Sequence, residues 1–135
     1  MYRILVPLDN SSDRASKQTA FVSSLLEARP SVEVVLAHTF TDEERTVPRD
    51  MKRADRVETV RRSKERLEAA DVEVDFRDLE SPPAEGIVSL VEDEGFDLIV
   101  MGGRKRTPIE NAILGSTTQR VLRNVEVPVT ITGGE

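Results

Sequence analysis

The sequence predicts a doubly wound α/β fold, in which helices cover both faces of a parallel sheet. Short apolar runs alternate along the chain with amphipathic segments of helical length, and this alternation is typical of right-handed β-α-β crossovers. The run Phe96–Met101, FDLIVM, is almost wholly apolar, as a central parallel strand should be. With 135 residues the chain has the length of one domain, and we expect a single domain over residues 1–135.

The first part of the chain reads as strand, helix and strand. The apolar run Tyr2–Leu8, YRILVPL, ends in the turn and cap residues DNSS. A helix is predicted from Asp13 onward, because apolar residues recur at helical spacing, and Pro30 marks its exit. The β-branched run Val32–Thr39, VEVVLAHT, predicts the second strand. The polar stretch Thr41–Arg53 is too charged for a core and predicts a surface loop.

The middle of the chain reads as helix, strand and helix. An amphipathic surface helix is predicted over Ala54–Ala70. The run Val72–Leu79, VEVDFRDL, alternates between apolar and polar residues, which indicates an edge strand with one face exposed to solvent. We expect Ser81 to cap the next helix, with a proline at its first helical position, and Gly95 to end it.

A last helix over Ser116–Asn124 and a last strand over Val127–Thr132 complete the pattern after Phe96–Met101. The predicted order is therefore β-α-β-α-β-α-β-α-β. Strands that alternate with helices in this way predict a parallel sheet covered on both faces.

Composition excludes several classes of protein. The chain has no cysteine, so it has no disulfide, thiolate nucleophile or cysteine-bound zinc. A net charge of -6 and an aromatic content of 4% disfavour binding to nucleic acid. No apolar run approaches the roughly 20 residues that cross a bilayer, and MYRILVPLD is a strand pattern rather than a secretory leader. We therefore expect a cytoplasmic protein that binds neither membranes nor nucleic acid.

Polar residues collect where a doubly wound fold binds its ligands, beyond the carboxyl ends of the strands at the point where strand order reverses. Those ends carry Asp9, His38-Thr39 and Gly102–Lys105. Glycine there lets a ligand approach the backbone closely. Further on, Ser116–Gln119 fits a capping box behind Gly115, and a helix N-terminus offers N–H groups to an anion. The same residues also serve as a plain turn and helix cap, so both interpretations stay open.

Four segments give the chain a resemblance to the universal stress protein family. The segment ILVPLDNS resembles the family's opening I-L-V-P-x-D-x-S, and VVLAHTF resembles its second strand. The family's G-x2-G-x9-G-[ST] motif is matched at Gly102, Gly115 and Ser116, and PVTIT resembles the family's final strand. The resemblance covers essentially the whole chain with the order of elements intact.

The resemblance implies a five-stranded sheet of order 3-2-1-4-5 and a site for an adenine nucleotide, ATP first, with or without Mg²⁺. Asp9 would accept a hydrogen bond from the adenine amino group, and the N–H and hydroxyl groups after Gly115 would hold phosphate oxygens. The residues that the resemblance assigns to nucleotide binding are Val6, Pro7, Asp9, His38, Thr39, Met101, Gly102, Gly103, Arg104, Lys105, Gly115, Ser116 and Thr117. No residue is assigned to catalysis or to a metal.

Lys105 stands where the family motif has its second glycine. In a left-handed conformation lysine would cost on the order of 1 kcal/mol relative to glycine, and its side chain could fill the space that a ligand needs. Arg104, Lys105 and Arg106 would also place positive charge beside a triphosphate, and lysine is a common phosphate partner.

Two alternatives to a nucleotide sensor are a dimeric interaction scaffold that works without nucleotide and a slow ATP hydrolase. His38 is the chain's one histidine, and a strand histidine is more often packed or hydrogen-bonded than a general base. Nothing else in the sequence provides a nucleophile with a base, so a dedicated enzyme is not expected. The final strand is expected at the sheet edge, and by resemblance it pairs with a second copy, which predicts a homodimer through Val127–Thr132. If the loop Thr41–Arg53 covers that edge instead, the chain is a monomer.

Overall fold

A computed structural model of the chain describes residues 1–9, 11–39, 58–79, 82–103 and 115–133. Within these ranges strands and helices alternate throughout, as the sequence predicts. The elements are β1 (Tyr2–Leu8), α1 (Ser12–Leu25), β2 (Val32–Thr39), α2 (Glu58–Ala69), β3 (Glu73–Leu79), α3 (Pro83–Glu94), β4 (Leu98–Gly102), α4 (Ser116–Asn124) and β5 (Val129–Thr132). The predicted loop Thr41–Arg53 and the start of the predicted second helix lie outside the described residues.

The strands form one parallel sheet in the order β3-β2-β1-β4-β5, which confirms the predicted doubly wound fold. β1 lies at the centre, with β2 on one side and β4 on the other, so the direction of winding reverses between β1 and β4. β3 is at one edge, as its alternating pattern predicts, and β5 is at the other edge.

The core consists of two apolar layers, one on each face of the sheet. On one face, side chains of β1 and β2 pack under α1 and α2, with Val22 and Leu67 fully buried. On the opposite face, alternate residues of the same strands pack under α3 and α4, with Ile87 and Val121 buried. Burial on both faces explains the continuous apolar runs of the inner strands. Within the described residues, no helix is long and apolar enough to cross a membrane.

The two ends of α3 test the predicted cap and stop. The helix begins at Pro83, which confirms a proline at the first helical position, but its N-cap is Pro82 rather than Ser81. Pro82 precedes a proline and therefore stays extended, with φ -74° and ψ 158°, so it cannot join the helix. Gly95 ends α3 as predicted, with a φ of 76° that favours glycine.

Arginines and acids surround the end of α3 in a group that we call the Glu94 cluster (Arg3, Glu33, Asp75, Arg77 and Glu94). Arg77 donates two hydrogen bonds to the carboxylate of Glu94, at 2.7 and 2.9 Å, and Arg3 donates a third at 3.2 Å. Arg3 also pairs with Glu33, and Arg77 with Asp75. The hydrogen bonds from Arg77 and Arg3 lower the pKa of Glu94, and those from Arg77 and the Phe76 N–H lower the pKa of Asp75.

Candidate functional site

The ladder between β1 and β4 stops short of the carboxyl ends of these strands. It pairs Ile4 with Leu98 and Leu5 with Ile99, and forms no later pair although both strands are fully described to their ends. Asp9 follows β1 directly, and Gly102 is the last residue of β4. The sheet therefore opens at its switch point, where doubly wound folds bind their ligands.

Pro7 explains why the ladder stops. If the register continued, Pro7 would face Met101, and its backbone nitrogen would point at the carbonyl of Val100. Proline has no N–H to donate, so this carbonyl needs another partner. The side-chain amide of Gln18 supplies it: Nε2 donates to the oxygen of Val100 at 3.0 Å and to that of Pro7 at 2.8 Å. Gln18 is only 2% exposed, so one buried amide bridges the opening between the two strands.

Asp9 carries a carboxylate directly after the end of β1. Its Oδ1 accepts from the backbone N–H of Ser11 at 2.8 Å, and its Oδ2 accepts from Nε of Arg14 at 2.7 Å. Ser11 is the N-cap of α1, and its hydroxyl oxygen accepts from the backbone N–H of Arg14. The turn after β1 and the first turn of α1 therefore fix the position of the Asp9 carboxylate.

Gly102 meets α1 at close range. A Cβ on this residue would lie 3.1 Å from Oε1 of Gln18 and 3.3 Å from both Cβ and Cδ of Arg14. Such contacts are tight, so the absence of a side chain is what lets the first turns of α1 pack over the end of β4. In this structure the close approach to Gly102 is made by the protein's own helix.

The other predicted residues of β1 and β4 contribute mainly their backbone. Val6 is fully buried in one apolar layer, and Met101 is buried in the other. The N–H of Gly103 donates to the carbonyl of Thr132, which ties the residue after β4 to the end of β5. Only main-chain atoms of Val6, Met101 and Gly103 can therefore face a ligand.

His38 is buried at the end of β2, with 1% of its surface exposed. Its Nδ1 lies 3.1 Å from the carbonyl oxygen of Leu8, and since a carbonyl only accepts, Nδ1 is the donor. The imidazole thus joins β2 to the end of β1, which confirms the prediction of a packed, hydrogen-bonded histidine. Thr39 is the last residue of β2.

The N-terminus of α4 differs from the predicted capping box. The helix begins at Ser116, but its N-cap is Gly115, and no side chain caps it. Ser116 lies one position too far along the chain to cap, because the cap residue must be extended, and Gly115 is, with φ -75° and ψ 168°. The side chain of Ser116 is exposed and that of Thr117 half-buried. The first N–H groups of α4 therefore receive no hydrogen bond from a side chain of their own N-cap residue.

The structure brings Asp9 and Gly102 together through α1, and leaves two predicted residues untested. Arg104 and Lys105 lie outside the described residues. The two residues that join the site from α1, Arg14 and Gln18, are not among those predicted. The sequence indicated the need for a donor but not which residue supplies it, because a proline in a central strand requires a replacement donor.

The fold and the site geometry together define a doubly wound α/β protein whose sheet opens between β1 and β4, at the end where such folds bind their ligands. Residues 1–133 match the profile of the universal stress protein family. The chain belongs to the universal stress protein family, which confirms the resemblance in its motifs.

Several known proteins are similar to this chain in sequence or in structure. The universal stress protein MJ0531 of Methanocaldococcus jannaschii is 36% identical over 74 residues, which are 55% of this chain and 44% of that protein. The chain thus spans less than half the length of this curated relative. A universal stress protein structure from Archaeoglobus fulgidus superposes with a TM-score of 0.77 at 26% identity, covering 98% of both chains. The structure of MJ0577 from M. jannaschii gives 0.76 at 25% identity, covering 99% of this chain and 96% of that one.

Two further structures of this fold were solved as nucleotide complexes. A universal stress protein of A. fulgidus in complex with dAMP has a TM-score of 0.71 at 24% identity and covers 98% of both chains. A universal stress protein in complex with cAMP has a TM-score of 0.72 at 18% identity, covering 99% of this chain and 98% of that one. At these identities the likeness to this chain is one of fold.

Proposed function

We propose that the chain binds an adenine nucleotide between β1 and β4, with ATP as the first candidate, and that it acts as a nucleotide-responsive regulatory protein. The observation that carries this proposal is the opening of the β1–β4 ladder beyond Leu5, which places Asp9 and Gly102 on its two sides. Family membership and the adenine nucleotides bound by two proteins of the same fold support the choice of ligand.

The adenine base and the phosphates of a nucleotide each have a matching group at this end of the sheet. The carboxylate of Asp9 is an acceptor for an adenine amino group. The N-terminus of α4 offers N–H groups to phosphate oxygens, because Gly115 provides no capping side chain, and the exposed hydroxyl of Ser116 can add a donor. Mg²⁺ would arrive with the triphosphate and be held chiefly by phosphate oxygens.

Calorimetric titration with Mg-ATP tests the proposal. We expect micromolar binding that Asp9→Ala and Ser116→Ala both weaken by about tenfold, the worth of one hydrogen bond of about 1.4 kcal/mol. Asp93→Ala and Ser89→Ala are matched controls, because both residues are exposed on α3. Binding should be the same in the controls as in the parent chain. A folded protein that gives no heat at millimolar Mg-ATP would refute the proposal.

The same sample separates a regulatory ligand from a substrate. We expect the chain to return bound ATP unhydrolysed, since His38 is buried and hydrogen-bonded to Leu8. Chromatography of the nucleotide after an overnight incubation gives the ADP fraction. Release of ADP at a rate proportional to protein, lost in Asp9→Ala, would favour the slow hydrolase instead.

We also propose that β5 joins two copies of the chain. β5 pairs with β4 only, and its four residues are all half-exposed although two are Val and Ile. The carbonyl of Pro128 accepts from Ile99 of β4, and that of Thr132 accepts from Gly103, the residue after β4. Residues alternate in direction along a strand, so the N–H groups of Val129 and Ile131 point away from β4 toward a neighbour.

Ile131→Pro tests this edge, because it removes an outward N–H without removing a donor to β4. Ile131→Ala is the matched control, since it loses the same side chain and keeps the N–H. By light scattering we expect a dimer for the parent and the alanine variant, and a monomer for the proline variant. A monomeric parent chain would refute the proposal.

A further inference from the structure

Arg14 spans the mouth of the opening between β1 and β4. Its Nε is bonded to Oδ2 of Asp9 at the end of β1, while its Cβ and Cδ pack over Gly102 at the end of β4. One side chain of α1 thus occupies the acceptor on one side of the site and covers the backbone on the other. The side chain is 37% exposed, so it can leave this position without disturbing the core.

The position of Arg14 in α1 is unusual on electrostatic grounds. Ser11 is the N-cap, so Arg14 is the third residue of the first turn. The N-terminus of a helix carries partial positive charge, and a cation there is unfavourable by a few tenths of a kcal/mol. The ion pair with Asp9 offsets that repulsion. Arg14 is therefore held at this position largely by the carboxylate that a ligand would use.

We propose that Arg14 sets the affinity of the site by competing with the ligand for Asp9, an inference that rests on the proposed nucleotide function. In the free protein the guanidinium occupies Asp9, and the stem of Arg14 covers Gly102. An adenine base that bonds to Asp9 displaces the guanidinium and moves the stem away. Removal of the guanidinium then strengthens binding of the base, although the site loses a positive charge.

Adenosine is the probe that isolates this competition, because it carries the base but no phosphate that Arg14 could attract. The test variant is Arg14→Met, which keeps an aliphatic stem and removes the guanidinium. Lys17→Met is the matched control, since it removes one positive charge from the same helix. Displacement of an exposed ion pair accounts for roughly two- to fivefold in affinity. We expect Arg14→Met to bind adenosine more tightly by that factor, and Lys17→Met to bind it like the parent chain.

A background without the carboxylate separates competition from a general charge effect. In Asp9→Ala nothing remains for Arg14 to occupy, so adding Arg14→Met should leave the affinity for adenosine unchanged. Thermal unfolding of each variant confirms that all remain folded at the titration temperature. The pattern expected from competition is a gain in affinity with Asp9 present and no gain without it.

Three results would overturn the inference, and they differ from one another. If Arg14→Met binds adenosine no more tightly than the parent chain does, Arg14 does not compete for Asp9. If it binds adenosine equally but Mg-ATP more weakly, Arg14 is a phosphate ligand instead. If neither the parent chain nor any variant binds adenosine or Mg-ATP, the proposal of a nucleotide site is wrong, and the proposed role of Arg14 is wrong as well.

Discussion

Arg3 and Arg77 both reach Glu94, and each has a further acidic partner, whereas Arg14 reaches Asp9 alone among the described residues. The side chain of Glu94 is 25% exposed and that of Asp9 is 54% exposed. Ion pairs in a shared, half-buried group are screened less by solvent than an isolated exposed pair.

The two groups also differ in what depends on them. The Glu94 cluster joins β1, β2, β3 and the end of α3, so its loss would loosen several elements together. The pair of Asp9 and Arg14 joins only a turn to the helix that follows it. We therefore expect the charges at the end of α3 to serve stability, and we propose that those at the switch point exchange partners with a ligand.

The largest effect that we expect is at the switch point, and it comes from a neutral residue. Gln18→Leu removes the donor to two carbonyls, the buried one of Val100 and the partly buried one of Pro7. An unsatisfied buried acceptor costs about 1–3 kcal/mol, so the free energy of unfolding should fall by about 2–4 kcal/mol. Urea denaturation measures this loss.

Lys17→Leu is the control for Gln18→Leu, because it lies next to it on α1 and is not buried. Its free energy of unfolding should stay within about 0.5 kcal/mol of the parent value. If Gln18→Leu is as stable as this control, the hydrogen bonds of Gln18 between β1 and β4 do not stabilise the fold. The opening at the switch point then needs another explanation.

The next effect tests the Glu94 cluster. Glu94→Gln keeps the shape of the side chain and removes the charge, and Glu92→Gln on the exposed surface of α3 is its control. We expect a loss of about 1–2 kcal/mol at pH 7 for Glu94→Gln, because hydrogen bonds to a charged group are worth more than those to a neutral one. Glu92→Gln should lose less than about 0.5 kcal/mol.

The pH dependence of this difference has a definite sign. The pKa of Glu94 is lowered in the folded state by the hydrogen bonds from Arg77 and Arg3, so the unfolded chain binds its proton first as pH falls. The stability from Glu94 is therefore complete above the ordinary glutamate pKa of about 4.3 and is lost as pH falls through the lower, folded value. Denaturation curves of the parent and Glu94→Gln should converge on acidification, and curves that stay parallel would contradict this account.

The third prediction concerns Gly95, whose carbonyl accepts from Arg3 at 2.8 Å. Its φ of 76° is strained for alanine, and an added Cβ would meet no atom within 4 Å, so conformation alone decides the effect. We expect Gly95→Ala to cost about 1 kcal/mol. Gly133→Ala is the matched control, since it has equally open space and no such φ, and its melting temperature should not change.

The sequence predicted the fold well because the signals for it are local and repeated. The inner strands are largely apolar runs, and Gly95 ends α3 at the position that the sequence indicated. The helix starts were less accurate, since the choice of cap between neighbours such as Ser81 and Pro82 depends on the backbone of one residue. β5 begins at Val129 rather than Val127. Pro128 accepts a hydrogen bond from β4 through its carbonyl, but it has no N–H with which to extend the strand pairing further toward Val127.

The site was harder to predict, because its parts meet only in the folded chain. Gln18 is 82 residues away from Val100, and nothing near it in sequence shows that it would replace the N–H that Pro7 lacks. Arg14 follows Asp9 by five residues, yet their contact depends on the turn between β1 and α1. The family motif identified Asp9 and Gly102, but it did not show that Arg14 lies between them.

The smallest effect is expected for Ser116→Ala, and it separates structural from ligand roles at the switch point. A capping serine would lose about 1 kcal/mol on this change. Gly115 is the cap, however, and Ser116 is exposed at the first helical position, where alanine is at least as favourable. We expect the melting temperature of Ser116→Ala to match that of the parent chain.

Ser11→Ala is the informative control for Ser116→Ala, because the hydroxyl of Ser11 does cap α1 by accepting from the backbone N–H of Arg14. It should lose about 1 kcal/mol. If Ser116→Ala is as destabilising as Ser11→Ala, the hydroxyl of Ser116 is a structural cap. Weaker ATP binding by this variant would then result from destabilisation of α4 and not from the loss of a phosphate contact. If Ser116→Ala is stable and still binds Mg-ATP less tightly, the lost affinity belongs to a direct contact with the phosphates.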